Sequence, residues 1–219
     1  MRITPARAAR GVAIAGAVIG YPVAAHYSTT VPAAPAALGV AVSLLPSLLI
    51  LVALAWRSPR RGAALLVCGA VAALLWGFWG ALERNFNWVY FLQHAGTNVM
   101  LALAFGATLA RGRKALCTHF AEAVHGGALT PEVLRYTRQV TAAWTLFFVA
   151  LSVVSSVLFF FFSIEAWSVF ANFLTLPLVL LMFAAEYGVR VLKLPKVERH
   201  GILDGILAFW KTPPGTSPR

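Results

Sequence analysis

Residues 90–98 read YFLQHAGTN, which places a Gln, a His, a Thr and an Asn inside a long apolar run. An imidazole can take up or release a proton near neutral pH, so His94 is the residue here with the most chemistry to offer. Wound at about 100° per residue with His94 as zero, Asn87 falls near +20°, Tyr90 near −40°, Thr97 near −60° and Asn98 near +40°. Tyr90, His94, Thr97 and Asn98 therefore form one polar stripe, the candidate ligand site or proton path. Ala95, Ala102 and Gly106 lie to one side of it. A polar stripe in a lipid-spanning helix is expected to face the bundle or a wet cavity. The alternative is plain hydrogen bonding between helices, for which Thr145, Ser152, Ser155 and Asn172 are the expected partners.

Other clusters offer less. His119, Glu122 and His125 are three apart, which spreads them over about 120° and suits a metal worse than an i, i+4 pair. His200 and Asp204, in HGILD, resemble an acyl-transfer pair in only two residues. Glu186 and Arg190 are spaced as a structural ion pair. No phosphate-binding loop, nucleophile elbow or cysteine-pair motif occurs in the chain. No catalytic residue, metal or cofactor is expected.

The elements that must carry these residues follow from composition. The 219 residues are 60% hydrophobic and 11% charged, whereas a soluble domain carries roughly 25% charged residues. Apolar runs of about 20 residues span a bilayer as helices. Six spans are expected, at about 11–27, 34–56, 62–82, 86–110, 140–162 and 166–188. The fold class is an all-α polytopic membrane protein, one helical domain over 1–212 with a disordered tail at 213–219. The loop 111–139 and the tail 189–212 each hold a short amphipathic segment suited to the interface, KALCTHFAEAVH and GILDGILAFWK. Thr130, Pro131 and Glu132 announce a helix that can run unbroken into the fifth span. The N-terminal stretch also fits a cleaved signal peptide, which would leave five spans.

The net charge of +11 would suggest nucleic acid in a soluble protein. Here the basic residues sit between apolar runs, so no nucleic acid is expected. Arg84 alone lies in a loop of the opposite side; the other 17 of the 18 basic residues fall at the two ends and in loops two and four. That alternation places both termini in the cytoplasm of an inner-membrane protein. Small residues every four positions (Gly16, Gly20 and Ala24; Gly69, Ala73, Gly77 and Ala81) suggest packing seams within the chain or between copies.

The blocks YFLQHAGTN, LCTHFAEAVHG, TPEVLRYTRQVTAAWTLFF and FAAEYGVR resemble a family of small bacterial inner-membrane proteins. Its members are commonly encoded among genes for aryl-polyene pigments of the xanthomonadin type. The resemblance covers roughly residues 55 to 210 and carries no residue roles. It implies a process, the assembly or delivery of a fatty-acyl-like polyene. Acyl carrier proteins are acidic, so the basic face could steer them to the membrane; anionic lipid explains the same charge. The expected function is a non-catalytic accessory protein that binds or scaffolds. The alternatives are a transporter or flippase working through His94, and a membrane-embedded acyl-transfer enzyme.

Overall fold

The computed structural model describes residues 5–31, 33–125 and 129–193. The described residues are helical, with no strand among them. In chain order the helices are α1 (Pro5–Thr30), α2 (Ala36–Arg57), α3 (Arg61–Gly77), α4 (Trp79–Arg84), α5 (Phe86–Ala107), α6 (Leu116–His125), α7 (Pro131–Phe161), α8 (Ile164–Val169) and α9 (Thr175–Lys193). A single π turn, Phe170–Leu174, joins α8 to α9. Among the described residues, three helical stretches are long and apolar enough to cross a membrane: α2, α7 and the continuous Ile164–Lys193. α3 is apolar but has only 17 residues, and the polar stretch from Asn87 to Asn98 lowers the hydropathy of α5.

Local chemistry explains most boundaries. α7 opens at Pro131, a residue that suits the first helical position, and Thr130 Oγ1 accepts from the Val133 N–H at 3.5 Å. The helix then runs 31 residues without a break. Ser163 caps α8 by accepting from Ala166 N at 3.3 Å. Pro177 has no N–H for its own helix, and the π turn lies just before it. The third expected span is not one helix: it breaks at Phe78, whose backbone leaves the helical region (φ −100°, ψ 13°) between Gly77 and Gly80. Glycines on both sides lower the cost of that break. The amphipathic segment at 200–211 and the tail at 213–219 lie outside the described residues.

The chain divides into two compact units. The first comprises residues 1–96 and 153–177. Its core is Ala25, Tyr90, Phe91, Ala95 and Trp167, flanked by Val42, Leu158, Phe159, Ile164 and Ala171. Phe91 stacks on Phe159 with centroids 4.2 Å apart. Gly39 sits under the Phe86 ring, where a Cβ would meet Cδ2 at 2.7 Å.

The second unit comprises residues 97–152 and 178–219. Trp144 packs against Phe183 and Phe148, with centroids 4.6 and 5.5 Å away. Gly106 faces the Thr145 methyl, which a Cβ would meet at 3.2 Å. α6 is tied to α7 by the hydroxyls of Thr118 and Thr137, 2.7 Å apart, and by Cys117 N–H to Thr141 Oγ1 at 3.2 Å.

The small-residue seams divide. Ala95, Ala102 and Gly106 of α5 are covered: both alanines are buried and Gly106 meets Thr145. Gly16, Gly20, Gly69 and Gly77 have nothing within 4 Å of where a Cβ would stand. α3 has no buried residue at all. The regular spacing of glycines in α1 and α3 therefore does not mark contacts inside the described part of this chain.

Candidate functional site

The first unit holds a buried polar network built around His94. The ring is engaged at both nitrogens: Nδ1 lies 3.0 Å from Ser155 Oγ on α7, and Nε2 lies 3.1 Å from Thr175 Oγ1 at the start of α9. Neighbouring bonds set the direction of each proton. The Thr175 hydroxyl donates to the Phe170 carbonyl at 3.0 Å, so it accepts from His94 Nε2–H. A neutral imidazole has one donor and one acceptor, so Nδ1 accepts from the Ser155 hydroxyl. Ser155 in turn accepts from Trp167 Nε1–H at 3.0 Å. The π turn makes this possible, because the bond from Thr175 to Phe170 spans five residues. Ser155 and Trp167 are fully buried, and the imidazole makes edge-to-face contacts with Trp167 and Phe170, ring centroids 6.3 and 6.0 Å apart.

A second branch passes through Tyr90. Its hydroxyl donates to Asn172 Oδ1. Asn172 Nδ2 donates to the Ser168 carbonyl at 2.9 Å and to Ser168 Oγ at 3.0 Å. Ser168 Oγ lies 2.9 Å from His26 Nδ1 and 2.8 Å from Thr29 Oγ1. Three elements of the first unit thus meet at one buried serine.

The expected site residues separate. Tyr90, His94, Ser155 and Asn172 all join this network. Thr97 does not: it is exposed and belongs to the second unit. Asn98 and Ser152 are buried in the second unit. Thr145 donates its hydroxyl to its own helix, to the Thr141 carbonyl at 2.8 Å. Glu186 and Arg190 form the expected pair at 3.6 Å. Tyr136 joins them, its hydroxyl 3.0 Å from the Glu186 carbonyl and 3.1 Å from Oε1.

Sequence reasoning missed His26, Thr29, Trp167 and Ser168. A signal was present, since Ser168 and Asn172 are four apart and share a helical face. His26 stood in a segment that also read as a signal peptide, which hid its value. Among the described residues, no three His, Cys, Asp or Glu side chains gather as metal ligands. No family model, curated protein or solved structure matches this chain.

Proposed function

We propose that the chain is a six-span inner-membrane protein with cytoplasmic termini. It acts without catalysis, as a docking and support element for the assembly or delivery of an acyl or aryl-polyene type of lipid. One observation carries the non-catalytic part, namely the ordered hydrogen bonds at His94. A general base must offer its lone pair to substrate, and here Ser155 holds that lone pair while Thr175 holds the proton. Three apolar helices of spanning length support the membrane assignment, and the sorting of basic residues supports the orientation. The link to acyl assembly rests on the resemblance of the sequence blocks. The docking face is the basic stretch around α6, where Arg111, Arg113, Lys114, Arg135 and Arg138 are all exposed.

The test uses the full chain in phosphatidylcholine vesicles with an acyl carrier protein as probe. Co-sedimentation is expected at low ionic strength and is lost as salt rises, because the attraction is between exposed charges. Absence of binding at low salt overturns the docking role.

One observation favours transport through the polar stripe instead. Asn87 Oδ1 is buried with no hydrogen-bond partner among the described residues, one turn before Tyr90. Under that reading His94→Ala stops export of product while it accumulates inside the cell. Normal export by a stably expressed His94→Ala protein eliminates it.

A further inference from the structure

We infer that the basic ends of α7 and α9 form a site for the phosphate of an anionic phospholipid, held by Arg190, Lys193 and Arg135. The site lies within the second unit and is separate from the His94 network. Arg190 is at the C-terminal end of α9 with its guanidinium 5.4 Å above the Tyr187 ring, a contact that orients the plane. Its Nε is 3.6 Å from Glu186 Oε1, too long for a good hydrogen bond. Its Nη2 is buried and has no hydrogen-bond partner among the described residues. The side chain is still 32% exposed, so a ligand can reach the rest of the fork. Glu186 satisfies this guanidinium only in part, and phosphate oxygens are acceptors that match its geometry.

Two more cations stand at the neighbouring ends of α9 and α7. Lys193 Nζ reaches across to Gln139 Oε1 on α7 at 3.4 Å. Arg135 stands four residues before Gln139, on the same stripe of α7. Both cations are exposed. Against these three positive charges stand two carboxylates. Glu186 is held by the Tyr136 hydroxyl, and Glu132 occupies the first turn of α7, where the helix dipole favours it. Tyr187 is 44% exposed, a common arrangement for an aromatic residue at headgroup depth. Basic pockets between helices at a membrane surface take phosphate headgroups for this reason.

The experiment is native mass spectrometry of the full chain in detergent, with phosphatidylglycerol, phosphatidylcholine and inorganic phosphate as probes. Phosphatidylglycerol is expected to stay bound under conditions that strip phosphatidylcholine. Lys193→Gln and Arg135→Gln are each expected to weaken it about fivefold, and Arg60→Gln, at an exposed arginine away from this site, to leave it unchanged. Lys193 and Arg135 are exposed, so these variants keep the fold even if Arg190→Gln does not. Equal retention of the two lipids overturns the site. So does an Arg60→Gln protein that loses as much affinity as Lys193→Gln. Inorganic phosphate binding as tightly as phosphatidylglycerol overturns the assignment to lipid.

Discussion

His94 and Ser155 are separated by 61 positions and joined by a hydrogen bond of 3.0 Å. Such bonds between helices in lipid are typically worth about 0.6 kcal/mol and at most nearly 2 kcal/mol. A double-mutant cycle of His94→Ala and Ser155→Ala, read by unfolding in detergent, is expected to give a coupling energy in that range. Ser155→Ala alone is expected to cost more than the coupling, because it also leaves Trp167 Nε1–H without its acceptor. Strict additivity of the two substitutions contradicts the bond.

Two glycines should respond in opposite ways to the same change. A methyl group at Gly39 collides with the Phe86 ring, so Gly39→Ala is expected to destabilise by about 1–3 kcal/mol. A methyl group at Gly69 meets nothing within 4 Å. Gly69→Ala is expected to be neutral or to stabilise by up to about 1 kcal/mol, since Ala is the better helix former. Thermal unfolding of both variants in one detergent gives the comparison. Equal loss at the two positions would show that α3 is packed where the fold leaves it bare.

Cys117 reports on orientation and burial together. Burial pushes its thiol above the ordinary cysteine range; contact with Thr141 works against this, and the Glu186 carboxylate adds to it. A raised thiol carries less thiolate at neutral pH, and the thiolate is the nucleophile. Alkylation by a membrane-impermeant maleimide is therefore expected to be slow at neutral pH and to accelerate as the pH becomes alkaline. With the proposed orientation it occurs in inverted vesicles and not in intact spheroplasts. Labelling from the outside reverses the topology.

Single elements of this fold are easy to read from sequence, and their faces are harder. Thr130, Pro131 and Glu132 mark the start of α7, and the helix begins there. The apolar runs locate the helices because composition alone selects the solvent. Angles on a helical wheel are relative, however, and a helix has no mark saying which arc its neighbours will cover. On α5 the covered arc runs from Tyr90 through Phe91 to Ala95. Thr97 lies just past its edge and is exposed. The break at Phe78 was hidden because its neighbours are as apolar as those of any spanning segment. Ser168 was overlooked because one serine in an apolar helix looks like any other until His26 and Thr29 are brought beside it.

The π turn at Phe170–Leu174 makes chain length itself part of the His94 network. One surplus residue rotates the remainder of the helix by about 100° relative to a regular one, and Thr175 meets the imidazole only with that turn included. The alignment therefore depends on the turn absorbing that surplus residue more than on which side chains the turn carries. Exchanging one side chain for another in this segment leaves the spacing intact. Losing a single residue from it converts the π turn into an ordinary α turn and keeps the threonine facing the histidine, whereas regularising the turn with all its residues retained carries the threonine about 100° away.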